Sequence, residues 1–439
     1  MEKGDKSHFS THRRDRRERL AKNGTYPLFQ RTPTIAGNVW RKMGLIPFLC
    51  LVLLGGADWR QFRGPDGSGV SPEKDVPTRL DAKESLAWKA PLPGTGPSGP
   101  IVVAGRVFVT AATGPHQERL NLLAFDAATG KLRWERQLWA TGHTVCNPFG
   151  GVAIPTPASD GKRVFAFYSS NDLACFDLDG NLQWFRGLAY ERPLTRNDVG
   201  MGSSPLIVGD TVVVQMEDQG ASWAAGIDAA TGETRWTVDR EREATWTTPT
   251  ALRGPDPGED LVLLQSKAYL SAHDPHTGRE VFRYNVGCST ISSNAVAGDC
   301  MYVASDGLTA LGYRRATGTL EELWRERRLQ PESASPVVDG TRVYVVKSAG
   351  VLVCADASSG KVLWQLRLRG PFWATPVVAG GHLYAINHDG LVQVVRLGAQ
   401  GTLVATRQID KGILASPAVA DGAVYFRSNQ HLWKFAGAR

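Results

Sequence analysis

The side chains that do most enzymatic chemistry are present in this 439-residue sequence, but their spacing forms no catalytic pattern. The histidines beyond the basic N-terminal stretch are His116, His143, His273, His276, His382, His388 and His431, scattered and without the H-E-x-x-H spacing of a helical zinc site. His273 and His276 flank an Asp-Pro turn and read as surface residues. There is no G-x-S-x-G turn to raise a serine nucleophile and no glycine loop to cradle phosphate. The six cysteines, Cys50, Cys146, Cys175, Cys288, Cys300 and Cys354, include no adjacent pair and no C-x-x-C. Buried free thiols are the expectation, with a Cys288–Cys300 disulfide as the alternative. No catalytic residue and no metal ligand is assigned.

Three irregular segments carry polar residues that could bind. The first is His143-Thr-Val-Cys-Asn147-Pro-Phe-Gly-Gly. The second, Arg192-Pro-Leu-Thr-Arg-Asn197-Asp198-Val-Gly-Met201-Gly, offers Asn197, Asp198 and Met201. The third is the charged run Asp239 to Glu243, with Arg240 and Glu243, just before Trp246. Each precedes a strand that opens a repeat, so each should end near the mouth of a central channel, where loops often carry binding residues. Two readings stand for all three: binding loops, or asparagines and glycines closing turns beside a solvated charged loop. Trp139 and Trp223 would be the exposed aromatics of a sugar- or polymer-binding surface.

What must position these loops is a repeat. Eight times a Ser/Thr-Pro or close variant opens a valine-rich run: Gly99-Pro100, Thr156-Pro157, Ser204-Pro205, Thr248-Pro249, Ser293-Asn294, Ser335-Pro336, Thr375-Pro376 and Ser416-Pro417. The later spacings settle at 40 to 45 residues, the period of one four-stranded propeller blade. In the first copy, strands are read at 101–104, 107–110, 120–125 and 131–134, and proline is tolerated at a strand head because that position need not donate to the ladder. The Asp-x-x-Thr-Gly turn at Asp126–Gly130 recurs at Asp228–Gly232 and Asp274–Gly278. Large rings recur at the fourth strand, at Trp88, Trp134, Trp184, Trp236, Phe282, Trp324 and Trp364, and should pack one blade on the next. The last repeat lacks a fourth strand, while Ser85–Ala90 is a lone fourth strand ahead of the first. Joining them closes an all-β, eight-bladed propeller over 85–439 with no free edge. An extended segment, 58–84, precedes it.

Charge narrows the partners. Residues 1–42 hold 11 Lys/Arg against four acids, so the rest of the chain, with 39 of each sign, is formally neutral. Nucleic-acid binding needs a basic surface, and the propeller has no net excess to build one. The basic stretch 1–42 reads as a disordered tail or as residues ahead of a later translation start near Val39 or Met43. Residues 43–57, a short apolar run after Arg41-Lys42 and ending in small residues, read as a signal peptide. An uncleaved anchor is the alternative, although the run is short of the ~20 residues a spanning helix needs. The protein is therefore expected outside the cytoplasm, as a monomer, touching membrane at most through this leader.

Ala-Phe-Asp126-Ala-Ala-Thr-Gly130-Lys-Leu-Arg-Trp134 and its near copy Cys-Ala-Asp356-Ala-Ser-Ser-Gly360-Lys-Val-Leu-Trp364 resemble the tryptophan-docking repeat of quinoprotein-type propellers. That family includes pyrroloquinoline-quinone (PQQ) dehydrogenases and the non-catalytic BamB-like propellers of outer-membrane assembly. Trp59-Arg-Gln-Phe-Arg-Gly-Pro65-Asp-Gly, Gly202-Ser-Ser-Pro205 and the stretch Asp239 to Pro249 are similar to a secreted subgroup with PQQ-binding-like repeats. The dehydrogenase branch implies vicinal cysteines, carboxylate and amide ligands for calcium, and an aspartate base, and none of these maps onto this chain. The resemblance thus implies a non-catalytic scaffold for an envelope protein or extracytoplasmic ligand, without PQQ or calcium. A PQQ- and calcium-dependent dehydrogenase and a carbohydrate-binding propeller are the alternatives.

Overall fold

Valine-rich runs of two to eight residues form eight four-stranded antiparallel meanders arranged as a ring, in a computed structural model that describes residues 58–81, 84–147, 150–195 and 199–437. The leader and basic stretch lie outside the described residues. Blade 1 comprises Ile101–Val103, Arg106–Thr113, Arg119–Asp126 and Leu132–Trp139. The first strand is one residue shorter than the sequence reading, and the other three run further, neighbouring blades burying both faces of the second and third. The fourth strand alternates half-buried and exposed positions, one face on the next blade and one in water.

Blade 8 closes the ring as expected. Leu86–Pro91 pairs antiparallel with His431–Ala436, completing the sheet begun by Ala418–Ala420 and Ala423–Arg427. The inner strands Ile101–Val103 and Ala418–Ala420 then lie side by side, leaving no seam edge.

A β-bulge in the fourth strand precedes each docking ring. In blade 3 the register passes from Ile227↔Thr234 to Gly226↔Trp236, so Arg235 is the extra residue. The same shift occurs before Trp88, Trp134, Trp184, Phe282, Trp324 and Trp364. A bulge re-aims the side chain that follows it. Opposite the rings of blades 1–6 stand Ala124, Cys175, Gly226, Ala272, Ala310 and Cys354, small enough to leave space for the indole. Each indole N–H then donates to a carbonyl of the next blade: Trp88 to Ala127, Trp134 to Leu178, Trp184 to Ala229, Trp236 to Pro275, Trp324 to Ala357 and Trp364 to Gly398, at 2.8 to 3.2 Å. The ring faces lie on glycines of the following turn. A Cβ at Gly278 would stand 2.7 Å from Trp236, and its φ of +71° is one that glycine takes without strain. Phe282 has no N–H and packs against Tyr313 with ring centroids 4.6 Å apart, tilted by 38°.

All five described cysteines are free thiols, so no Cys288–Cys300 bridge forms. His273 is buried, not on the surface: its ring nitrogens contact the Gly278 carbonyl and the Ser271 hydroxyl at 3.0 and 2.9 Å. It ends a third strand whose both faces are covered, and the turn proper begins one residue later. His276 is on the surface, 3.6 Å from Asp210. Trp223 is likewise buried, its N–H given to Thr195, whereas Trp139 is 62% exposed. Among the described residues, no helix is long and apolar enough to cross a membrane.

Candidate functional site

The Ser/Thr of each repeat opening does more than precede a proline. Its hydroxyl accepts the backbone N–H of the equivalent residue one blade earlier. Gly99 donates to Thr156, Thr156 to Ser204, Ser204 to Thr248, Thr248 to Ser293, Ser293 to Ser335, Ser335 to Thr375 and Thr375 to Ser416, all at 2.9 to 3.1 Å. The belt opens only between blades 8 and 1, where Gly99 has no hydroxyl. A Cβ there would lie 3.1 Å from both the Ser416 carbonyl and the Thr156 hydroxyl.

The belt girdles an axial cavity of about 290 Å3. In extended chain, residues two apart share a face, and the residue two before each belt position lines the wall. These are Pro97, Ile154, Gly202, Trp246, Ile291, Ser333, Trp373 and Leu414. The wall is thus mostly apolar, with two indoles, and neutral hydroxyls ring it below. Phe62 also lines it, carried by the segment after Asp58, which crosses the opposite ends of the inner strands. There Trp59 exchanges two backbone hydrogen bonds with Val102, Ser159 donates to the Arg60 carbonyl, and Ser71 and Gly69 bond Val378.

Adjacent rim loops are tied together. The Asn147 N–H donates to the Val199 carbonyl at 3.1 Å, the Trp246 N–H to Thr290 at 2.7 Å, and the Trp246 indole to Gly200 at 3.0 Å. Asn147 and Val199 line the cavity. Asn197 and Asp198 lie outside the described residues. His143 is exposed and does not line the cavity, nor does Met201, which is buried and donates its N–H to Ser169.

The run from Asp239 is not simply a solvated loop. Arg240 is buried against Glu217, Nε to Oε1 at 2.6 Å, with further bonds to Ser271 and Leu264 and its guanidinium 4.7 Å from the Tyr269 ring. The fourth strand persists through Asp239, turning Arg240 into the interface with blade 4. Burial lifts the Glu217 carboxyl to about 7, against the opposing pull of Arg240. Glu243 is exposed and pairs with Lys267 at 3.1 Å.

The described lining offers apolar surface and neutral hydroxyls. No Asp, Glu, His, Lys or Arg is among the described residues lining the cavity, and no cluster of three His, Cys, Asp or Glu able to hold a metal occurs among the described residues. A calcium site wants six to eight oxygens, carboxylates among them, so these residues do not fit a calcium–quinone centre. Burial pushes the Cys175 and Cys288 thiols up to about 12, far from a reactive thiolate. Ser428 and His431 both reach Asp410, at 2.6 Å each, but the acid stands between them. A nucleophilic serine needs histidine in that place.

The sequence reading missed the hydroxyl belt and the wall. The signal was present as the x-x-Ser/Thr-Pro spacing, which places Trp246 before Thr248 and Trp373 before Thr375 on one face.

Comparison with known proteins agrees with this architecture. A family model described as outer membrane protein assembly factor BamB matches residues 74–197, 192–299, 220–328 and 313–402. Outer membrane protein assembly factor BamB of Alkalilimnicola ehrlichii is 29% identical over 231 residues, 49% of this chain and 50% of that protein. The chain therefore spans about half the length of the curated relative it matches. Among solved structures, BamB from Moraxella catarrhalis superposes with a TM-score of 0.59 at 17% identity, over 80% of this chain and 99% of that one. A europium-containing methanol dehydrogenase reaches 0.66 at 14% identity, over 87% and 98%. At these identities the structural likeness is one of fold, shared by a dehydrogenase and an assembly factor alike. The family match covers most of the propeller, and the chain belongs to the PQQ-like β-propeller repeat family whose model is described as outer membrane protein assembly factor BamB.

Proposed function

We propose that this protein is a non-catalytic binding propeller that works outside the cytoplasm and docks an envelope protein at its axial mouth. The observation that carries the reading is the cavity itself: about 290 Å3, walled by Ile154, Trp246, Ile291, Trp373 and Leu414, with no ionisable side chain among its described lining. A pocket of that size and polarity suits one large apolar side chain projected by a partner loop, the kind of anchor that dominates protein interfaces. The belt hydroxyls have spent an acceptor site on backbone N–H groups, and those of Thr156, Ser204, Ser293, Ser335, Thr375 and Ser416 keep their O–H donors for the partner's backbone carbonyls. The family description, an outer-membrane assembly factor, supports a protein partner in the envelope, and the apolar run at 43–57 supports export.

Affinity capture from envelope extract tests this with wild-type protein beside a Trp246→Ala/Trp373→Ala variant of unchanged melting behaviour. A protein retained by the wild type and lost from the variant supports the reading. Equal capture by both overturns the axial mouth as the docking point.

A further inference from the structure

Arg63, in the Trp59-Arg-Gln-Phe-Arg-Gly-Pro65 stretch, presents a charge that no carboxylate among the described residues balances. Its side chain is buried, 2% exposed, beneath the hydroxyl belt. One hydrogen bond is made, from Nη2 to the Asn294 carbonyl at 2.7 Å, while Nε and Nη1 find no partner among the described residues. No carboxylate among the described residues acts on it; the Phe62 ring centroid lies 5.3 Å from its guanidinium, and burial pulls it down to about 9. The backbone is left-handed at φ +64°, a conformation that is strained for an arginine and persists only where the surroundings impose it. Here the Arg63 carbonyl accepts the Gly69 N–H at 2.8 Å, and the neighbouring Gln61 side chain accepts Ile207 at 3.4 Å. The segment thus holds a buried cation in place at a conformational cost.

Isolated charges do not stay buried without a partner of opposite sign. Beside Arg63 is a cavity of about 10 Å3, also lined by Gln61, Thr248 and Thr250, enough for a single small guest. Its free donors are the Nε and Nη1 hydrogens of Arg63 and the hydroxyl of Thr248, which already accepts the Ser204 N–H. Thr250 has given its hydrogen to Asn294. The lining holds no carboxylate. A water there can give a hydrogen to Gln61 Oε1 but leaves the guanidinium charge unbalanced, whereas an anion accepts from both donors and neutralises it.

We propose that Arg63 and the Thr248 hydroxyl hold a small monatomic anion of the halide class, which neutralises the guanidinium and fastens the Trp59–Gly69 segment across the ring. This site shares Phe62 and Thr248 with the lining of the axial cavity but does not rest on docking there.

Two measurements on the purified wild-type chain test it. In thermal melts at fixed ionic strength, replacing sodium gluconate by sodium chloride or bromide should raise the melting temperature saturably. Arg63→Met should remove that rise, and in gluconate alone it should melt no lower than wild type. Crystals soaked in bromide should show an anomalous peak within hydrogen-bonding reach of Arg63. No halide-specific rise in the wild type, or bromide peaks with none beside Arg63, overturns the proposal even if the variant fails to fold. So does an equal halide gain in Arg63→Met.

Discussion

The backbone N–H of Ser204 donates to the hydroxyl of Thr248 at 3.1 Å, linking blade 3 to blade 4 directly across the channel wall. The same bond recurs around the ring, so the residue that opens each repeat both joins blades and faces the cavity. Thr248→Val keeps the shape but removes the acceptor, leaving a buried N–H unpaired. A loss of about 1–3 kcal/mol is expected in urea unfolding. Thr248→Ser, which keeps the oxygen, should lose distinctly less, and equal losses would show that the hydroxyl bond contributes nothing.

The indoles carry the outer half of the same junctions. Trp236 is 6% exposed, its N–H is held by Pro275, and its face lies on Gly278. Trp236→Ala should cost about 3–5 kcal/mol. Trp236→Phe should recover part of this, since blade 4 already uses Phe282 at the equivalent place. A change under about 1 kcal/mol for the alanine variant would contradict the packing role.

Much of this was legible in the sequence because it is periodic. The Asp126–Gly130 turn, the tryptophan that follows and the missing fourth strand of the last repeat gave blade number and closure before any coordinate. The burial of His273, Trp223 and Arg240 was not legible, for a common reason. Each lies beside a turn in sequence, but its environment is made by a neighbouring element, such as the Glu217 carboxylate that meets Arg240. The wall of the cavity was hidden differently. Its eight positions vary from Gly202 to Trp373, and only their distance from the Ser/Thr is constant.

The buried pair Glu217–Arg240 predicts a pH effect of definite sign. Burial raises the Glu217 carboxyl from 4.5 to about 7 in the folded protein. Folding then favours the protonated acid, so this contribution is complete below about 4.5 and is lost as pH rises through about 7. The loss is on the order of 3 kcal/mol at most. Urea midpoints of wild type minus Glu217→Gln, measured from pH 4.5 to 8, should fall with rising pH. A flat or rising difference would show that Arg240 outweighs desolvation.

Cofactor binding is a further test of the proposed scaffold role. The described cavity lining offers no carboxylate to calcium, so PQQ with Ca²⁺ should leave the melting temperature unchanged and support no dye reduction with alcohols or aldoses. A working site at a hundredfold excess over Kd would add about 2.7 kcal/mol of stability. That gain, together with dye reduction, would move the protein to the dehydrogenase branch.

The central claim, docking at the axial mouth, is tested most directly by a photo-crosslinking residue in place of Trp373, 40% exposed on the cavity rim. Irradiation of the native envelope should yield one discrete adduct with another protein, and the same probe at exposed Leu403, on the outer strand of blade 7, should not. A probe at position 373 that captures nothing, or that gives the same adducts as position 403, would contradict the account.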